Sequence, residues 1–215
     1  QLIVIDGKSE DNTISILNKY KCIVTDLVSE KDDGIYDAMN KGMRLCQSGY
    51  FLYLNSDDYF SNEMVLEKYE YQISQNYFDF IFGNIELIHQ NNVIRVWQAE
   101  YSSEPAHFAS RIPHPGFAVK TEVAKAVGEF HLRYKIASDY DFILRLLKIT
   151  QNFAHIDETI IKMSMGGEST KGLENTIRQN LELCRSLNKN GYSLIKILRF
   201  IHDRVIFKLG QKVQF

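Results

Sequence analysis

Two adjacent carboxylates directly follow an apolar run in the first half of the chain. The run Tyr50–Leu54 is typical of a buried strand, and the polar segment 55–58 comes at its carboxyl end. Ligands bind at that end of the strands in open α/β sheets. Paired carboxylates suit a divalent cation that carries phosphate, so Asp57 and Asp58 predict a nucleotide-dependent enzyme. The same residues are also compatible with a turn that only caps the next helix.

Two more segments hold residues that could bind a ligand. Asp6 follows the first predicted strand, where a carboxylate can accept a hydrogen bond from a base or a ribose. Nearby, Ser9 or Asp11 could simply cap the next helix. Gly34 opens another predicted helix, whose free N–H groups could face an anion, although the charged residues before it could be only a solvated loop.

A third segment carries two aspartates at the start of a predicted helix. Asp139 and Asp141 are two residues apart. One of them could be a general base that removes a proton from a substrate. The other could merely complement the helix dipole.

The elements that must position these residues alternate between strand and helix, which predicts an α/β fold with a mostly parallel central sheet. The predicted strands are Leu2–Ile5, Cys22–Leu27, Tyr50–Leu54, Phe78–Phe82, Phe117–Lys120, Phe153–Ile156 and Thr159–Met163. The predicted helices are Asn12–Tyr20, Ile35–Cys46, Asn62–Ser74, Ser138–Lys148, Leu173–Asn188 and Leu194–Lys208. A small antiparallel hairpin is expected from Ile85–His89 and Val93–Gln98. The three prolines at 105, 113 and 115 argue against long regular structure after it.

Composition narrows the class of protein. The 215 residues include 25 basic and 27 acidic ones, and this near balance argues against a nucleic-acid-binding protein. The length suits one domain with an appendage, predicted here as residues 1–170 and a helical extension at 171–215. Three cysteines without metal-ligand spacing are typical of a reduced, cytoplasmic protein. No run approaches the about 20 apolar residues that span a bilayer.

Taken in order, these segments resemble the family 2 glycosyltransferases of the GT-A fold, which is Rossmann-like. IVIDGKSEDNT is similar to the family's IVIDGGSTDGT loop, and GIYDAMNKG followed by YFLYLNSDD is similar to its helix and metal-binding strand end. IASDYDFILRL is similar to the family's catalytic segment. Within the family, the segments are most similar to those of capsule and exopolysaccharide enzymes. The likeness covers about residues 1–170. The family's usual first strand and helix do not precede Gln1, which suggests a fragment.

The resemblance implies an inverting transfer of a sugar from a nucleotide-diphosphate donor, expected to be a UDP-sugar, to a hydroxyl of a saccharide or lipid-linked acceptor in surface polysaccharide synthesis. Mg²⁺ or Mn²⁺ is the implied cofactor, held by Asp57 and Asp58, and Asp139 is the implied general base. The implied donor-binding residues are Asp6, Gly7, Ser9, Gly34, Asn40 and Asp57. Gly7 and Asn55 stand where many members have acidic residues.

Four weaker candidates lie later in the chain. His114 would face the acceptor, although a lone histidine in a proline-rich loop is more often structural. Trp97 could stack on an acceptor sugar or pack in the core. Gly167 and Ser169 belong to a loop that could close over the diphosphate, or form a plain turn.

The last predicted helix alternates apolar residues with four cations, Lys196, Arg199, Arg204 and Lys208. Such a helix could lie peripherally on the inner face of an anionic membrane. It could equally pack on its own domain or on a partner subunit. The sequence leaves one alternative to catalysis, which is a non-catalytic module of the same fold that binds a nucleotide sugar or a partner.

Overall fold

The computed structural model describes residues 1–47, 49–90, 92–164 and 172–211, without the side chains at 172–173 and 207–211. The strands are β1 (Ile3–Asp6), β2 (Asp26–Ser29), β3 (Tyr50–Leu52), β4 (Tyr59–Phe60), β5 (Phe80–His89), β6 (Asn92–Trp97), β7 (Phe117–Lys120) and β8 (Phe153–Ser164). The helices are α1 (Thr13–Lys19), α2 (Ile35–Leu45), α3 (Val65–Gln75), α4 (Pro105–Arg111), α5 (Thr121–Val127), α6 (Ser138–Ile149), α7 (Gly172–Lys189) and α8 (Leu194–Gln211). The α/β class is confirmed.

The strands form two sheets with mixed pairing. β1 and β2 pair in parallel as a two-stranded sheet, while the larger sheet has the order β3-β7-β5-β8-β4, with β6 beside β5. Within the larger sheet only β5 and β8 run parallel, and the other described pairs are antiparallel. The expectation of a mostly parallel sheet is therefore wrong. Parallel neighbours need a crossover connection, whereas β6 returns directly after a tight turn.

β5 is the central strand of the larger sheet, because it pairs with β6, β7 and β8. The sequence predicted a break near Gly83, but the strand continues there with a shift in register toward β8. A Cβ added at Gly83 would lie 2.6 Å from Cδ1 of Ile160, so the absence of a side chain permits this close packing. β8 is likewise one strand where two were expected.

Two helices were missed between the hairpin and α6. α4 begins at Pro105, where the missing N–H of a proline costs nothing at a first helical position. α5 is capped at its carboxyl end by Gly128, whose φ of 86° suits glycine. The prolines therefore shorten regular structure in this region without excluding it. In the first half of the chain, β2 begins later than expected, at Asp26.

α6 lies at the centre of the main hydrophobic cluster. Eight of its twelve residues are buried, and Phe142 stacks on Phe130 with ring centroids 4.6 Å apart. α7 and α8 add residues such as Leu183 and Phe200 to the same cluster. The carboxyl-terminal helices thus help to hold the start of α6 in place. None of the helices in the described part of the chain is long and apolar enough to cross a membrane.

Candidate active site

The loop after β1 is organised by the buried carboxylate of Asp6. Its Oδ2 accepts hydrogen bonds from the Ser29 hydroxyl at 2.6 Å and from the backbone N–H groups of Lys8 and Ser9 at 3.1 Å. The Ser9 hydroxyl donates to Oδ1 at 2.5 Å. These bonds, led by those from the Ser29 and Ser9 hydroxyls, hold the pKa of Asp6 below its ordinary value. Asp6 therefore fixes the shape of the loop from inside.

A second carboxylate, that of Asp32, lies against this loop. A Cβ added at Gly7 would be 2.6 Å from Oδ2 of Asp32, so the missing side chain lets that carboxylate lie directly against the loop. The backbone N–H of Gly34 donates to Oδ1 of Asp32 at 3.0 Å. The N–H of Gly34 itself is therefore paired within the protein, and anion binding by the other N–H groups at this helix start stays a prediction. Sequence reasoning missed Asp32, because its approach to Gly7 depends on how β1 and β2 pair.

α2 links the loops that follow β1 and β3. A Cβ added at Gly42 in α2 would lie 3.6 Å from Ile5 of β1 and 4.0 Å from Tyr53, which follows β3. The Tyr53 hydroxyl also donates to the carbonyl oxygen of Met39 at 3.0 Å. The structure therefore brings the predicted nucleotide loop and the predicted metal loop to the same helix.

Asp57 and Asp58 lie in contrasting environments. The Asp57 side chain is exposed, whereas Asp58 is only 8% exposed. Asn55 Nδ2 donates to Oδ2 of Asp58 at 2.9 Å, and the backbone N–H of Ser164 donates to Oδ1 at 3.2 Å. Burial raises the pKa of Asp58; the hydrogen bond from Asn55 opposes this shift and the negative charge of Asp57 adds to it.

The pair fits a divalent cation in charge and in ligand type. Two neighbouring carboxylates, one of them desolvated, are electrostatically unfavourable until a cation offsets them. Carboxylate oxygens are the hard ligands that Mg²⁺ and Mn²⁺ prefer. Among the described residues no group of three or more His, Cys, Asp or Glu side chains forms a metal cluster. Further ligands for a cation here would thus be phosphate or water oxygens.

The start of α6 presents Asp139 with one carboxylate oxygen fixed. Its Oδ1 lies 3.1 Å from the Tyr36 hydroxyl and accepts a hydrogen bond from the Tyr140 N–H at 2.8 Å. Burial raises the pKa of Tyr36 well above its ordinary value, so this phenol stays protonated. Oδ2 has no hydrogen-bond partner within the described ranges.

The backbone before Asp139 is held by a buried carboxylate from α7. Glu182 accepts hydrogen bonds from three successive N–H groups, those of Lys135, Ile136 and Ala137, at 2.9 to 3.0 Å. Glu182 is 4% exposed. This role was not predicted, because nothing in the local sequence of α7 marks an acid that caps a distant segment.

Asp141 has a role different from that of Asp139. It is 1% exposed, and its Oδ2 lies 2.8 Å from His131 Nδ1 and 2.9 Å from Arg145 Nε. Oδ1 accepts from the Ser186 hydroxyl at 2.7 Å and from Asn190 Nδ2 at 3.3 Å. Asp141 therefore ties α6 to α7 and has no oxygen left for a substrate.

A pocket of about 60 Å³ brings Asp139 together with Trp97 and Arg204. Its remaining lining residues are Ala109, Ser110, Ile112, Ala137, Tyr140, Ile143, Gln179 and Leu183. The sequence nominated Asp139 and Trp97 separately, and the structure places them in one pocket. Arg204 was assigned to a surface face of α8, and that assignment is wrong. Its position seven residues after Ile197 and four residues after Phe200, both of them buried, was the available signal.

His114 is not among the described residues that line this pocket. Its ring packs between Tyr53 and Phe130, with centroids 5.7 and 6.0 Å away. Nε2 is buried and has no hydrogen-bond partner in the described structure. Burial lowers the pKa of His114, and the negative charge of Asp139 partly opposes that shift. The side chain is therefore neutral near pH 7, with one buried ring nitrogen unpaired.

The remaining predicted site residues are Asn40 and the pair Gly167 and Ser169. Asn40 is 1% exposed, and its amide is paired with the backbone of Phe130, donating at 3.0 Å and accepting at 2.8 Å. Its assignment to nucleotide binding is therefore wrong, because the core uses both of its polar atoms. Gly167 and Ser169 lie in the range 165–171, outside the described residues.

Comparison with known sequences points to one family. The model of the family described as "Glycosyl transferase family 2" matches residues 1–136. A "PGL/p-HBAD biosynthesis glycosyltransferase" of Mycobacterium tuberculosis is 26% identical over 149 residues, which are 67% of this chain and 57% of the relative. An "Uncharacterized glycosyltransferase" of Haemophilus influenzae is 27% identical over 155 residues, covering 69% and 52%. The matches thus span little more than half the length of these curated relatives.

Comparison with solved structures agrees with the fold. S. aureus TarS 1-349 in complex with UDP superimposes with a TM-score of 0.67 and 16% identity, covering 93% of this chain and 60% of that one. The mannosyltransferase PcManGT from Pyrobaculum calidifontis, in complex with GDP-Man and Mn²⁺, gives a TM-score of 0.63 and 13% identity, covering 94% and 59%. At these identities the likeness shows a shared GT-A-type fold and nothing finer.

Proposed function

Since this chain belongs to glycosyl transferase family 2, we propose that it transfers a sugar from a nucleoside-diphosphate donor to a hydroxyl group of an acceptor, with inversion at the anomeric carbon. One observation carries the proposal. Asp139, at the start of α6, lines a pocket and has one carboxylate oxygen without a described partner, while the acidic pair Asp57 and Asp58 follows β3. A proton acceptor and a phosphate-binding group on separate elements are what such a displacement requires.

We assign the donor to the loops after β1 and β3. Asp6 and Ser9 shape the first loop, and the Gly7 backbone beside Asp32 would meet the ribose or the base. Gly34 supports this site by holding Asp32. A UDP-sugar is the proposed donor, and the complex of the fold neighbour TarS with UDP is consistent with it.

Asp57 and Asp58 would hold Mg²⁺ or Mn²⁺ next to the donor's phosphates, with Asp58 oriented by Asn55 and Ser164. When bound, the cation neutralises charge on the leaving diphosphate. The desolvated state of Asp58 favours this role, since a cation removes the electrostatic cost of its ionised form.

On the acceptor side, Oδ2 of Asp139 would take the proton from the attacking hydroxyl. The Tyr36 hydroxyl lies near Oδ1 of Asp139, and Glu182 accepts three hydrogen bonds from the backbone just before it. Together they fix the orientation of the Asp139 carboxylate. Attack from the face opposite the diphosphate inverts the configuration. Trp97 would stack on the acceptor sugar, and the free Nε2 of His114 would bond a sugar hydroxyl.

We further propose that residues 1–170 carry this chemistry and 171–215 support it, with an acceptor that is a saccharide or lipid-linked saccharide of a surface polysaccharide. The outer face of α8 exposes Leu194, Ile195 and Leu198, which are 61 to 80% exposed, next to Lys196 and Arg199. This combination favours peripheral contact with anionic membrane. Arg204 does not belong to that face, and the side chain of Lys208 lies outside the described residues.

Thermal unfolding with UDP or GDP, in Mn²⁺ and in EDTA, tests the proposed donor site. At about 100 times Kd the nucleotide should stabilise the protein by roughly 2.7 kcal/mol, or about 5 to 10 °C. The gain should depend on Mn²⁺ and disappear in Asp57→Asn. Identical curves in Mn²⁺ and EDTA would contradict the metal assignment. Donor binding without any transfer to saccharide acceptors would instead favour a non-catalytic binding module.

A further inference from the structure

Arg204 is a half-buried cation with an unused hydrogen-bond donor. Its Nη2 donates to Oε1 of Gln179 at 2.9 Å. Its Nε is fully buried and has no partner in the described structure, and no described carboxylate lies within ion-pair distance. Burial lowers the pKa of Arg204, against the effect of Tyr140 and Asp139, but an arginine keeps its charge in proteins. A purely structural arginine is expected to have its buried N–H groups paired.

Arg204 lines a pocket that it shares with Asp139. Among the described residues that line it, only Asp139 and Arg204 are charged, and Trp97 supplies an aromatic wall. None of the donor-loop residues, such as Asp6 or Asp57, lines this pocket. A volume of about 60 Å³ is several times the space that one ordered water needs. The pocket therefore accommodates a small polar group next to the proposed base.

The charge balance of the pocket determines the sign of that group. Before reaction, Asp139 and Arg204 sum to zero. Once Asp139 has taken a proton from the acceptor hydroxyl, Arg204 is left without a counter-charge in a poorly solvated site. A negative charge on the acceptor itself would restore the balance, and a guanidinium is the side chain best suited to bind carboxylate or phosphate.

We infer that Arg204 binds an anionic group, a carboxylate or a phosphate, on the acceptor, so that this enzyme glycosylates acidic acceptors. The inference rests on the proposed function and adds a substrate class to it. Arg204 is then a specificity-determining residue contributed by α8. The donor site is separate from it.

Binding of three sugars to the full chain tests the inference. Trp97 is the only tryptophan and lines the pocket, so its fluorescence reports occupancy directly. The probes are methyl β-D-glucuronide for a carboxylate, glucose 6-phosphate for a phosphate, and methyl β-D-glucoside as the neutral reference. At least one acidic sugar should bind about ten- to a hundredfold more tightly than the neutral one, as expected for a charge-assisted hydrogen bond. The acidic sugar that binds more tightly identifies the anion.

Two variants remove the preference in different ways. Arg204→Gln removes the charge, and Gln179→Glu keeps Arg204 but neutralises it with a neighbouring carboxylate. Both should bind acidic and neutral sugars alike, while Arg178→Gln, an exposed position next to Gln179, should keep the preference. Gln179→Glu keeps the test decisive if Arg204→Gln does not fold.

Equal affinity of the parent for acidic and neutral sugars would overturn the inference. A preference that survives in the folded variants would overturn it too. UDP binding with Mn²⁺ is measured on the same samples. If UDP binds but acidic sugars gain nothing, only the inference about Arg204 fails. If acidic sugars bind tightly but no nucleoside diphosphate does, the proposed transferase function fails and the anion site stands.

Discussion

The donor side and the base side of this molecule are built in opposite ways. α1, which follows the donor loop, buries none of its seven residues, and Asp6 is the one fully buried residue of β1 and β2. α6, which carries Asp139, buries eight of its twelve. Donor loops are therefore held mainly by polar contacts around Asp6, whereas the base stands on the densest part of the core.

This difference indicates which of the two sites is already ordered without ligand and which one becomes ordered when its ligand binds. Segments with few buried apolar contacts open locally at low cost, and loops that close on ligands come from such segments. The position of a general base must instead be fixed to within about 0.5 Å, which requires packed support. We therefore expect a preformed base site and a donor site that the donor and its cation complete.

The largest expected effect comes from Asp139→Asn, which keeps the size of the side chain and removes the proton acceptor. Transfer should fall by about two to four orders of magnitude. UDP affinity with Mn²⁺ should hardly change, because the donor loops are elsewhere. Turnover and calorimetric donor binding are measured on the same preparation. Full activity in this variant would mean that the base is another residue.

Asp141→Asn should lower the stability of the protein, because Asp141 holds α6 against α7 and is not the proposed base. Loss of the buried charge leaves Arg145 and the Asn190 amide poorly paired, and breaking such a buried pair costs about 3 to 5 kcal/mol of unfolding free energy. Urea denaturation gives this value, and Asp33→Asn, at an exposed position, is the control with almost no loss. An Asp141→Asn protein as stable as the parent would remove the contrast between the two sides.

On the donor side, Asp58 should make the free energy of unfolding of the metal-free protein depend on pH. Its folded pKa is raised, so its protonated form stabilises the fold below the unfolded value of 3.8, and that contribution is lost as pH rises through the folded pKa. Without metal, the difference in unfolding free energy between the parent and Asp58→Asn should thus shift in favour of the variant from pH 3 to pH 7. Any hydrogen bond lost at all pH values cancels from this comparison. Mn²⁺ should stabilise only the parent at pH 7, and a flat difference across the range would contradict the raised pKa.

The smallest effect concerns α8. Lys196→Gln with Arg199→Gln should weaken binding to anionic vesicles by about 1 kcal/mol for each charge removed, and added salt should weaken the parent as well. The melting temperature should stay the same, since Arg199 is 81% exposed. Lys19→Gln with Lys21→Gln is the matched control. If the parent never co-sediments with vesicles, α8 does not contact membrane.

The sequence identified what local patterns encode. Asp57 and Asp139 could be proposed as site residues because the first follows a recognisable strand and the second lies at the start of a recognisable helix. The helices from α6 onward were predicted within a few residues. Strand direction was not predictable, because β7 pairs with β5 through contacts that no local pattern specifies. The contact of Asp32 with Gly7 and the cap from Glu182 also join segments far apart in sequence.

Two errors had local causes. Asn40 was assigned by family resemblance alone, although the same helix face buries Tyr36 and Met43. Arg204 was grouped with exposed cations because an arginine in an amphipathic helix usually faces water. In both cases the helical period of the buried neighbours placed the polar residue inward.

The central position of β5 affects how the chain leaves the ribosome. Its edge toward β8 pairs residues 80–88 with residues 153–164. Until that later segment has been synthesised, a largely apolar strand keeps one row of backbone donors and acceptors open, and such edges pair readily with other chains. At about 5 to 20 residues per second this interval lasts for seconds. Nascent chains that stall before residue 153 are thus exposed to intermolecular strand pairing, and chaperone demand during synthesis should be concentrated in that window.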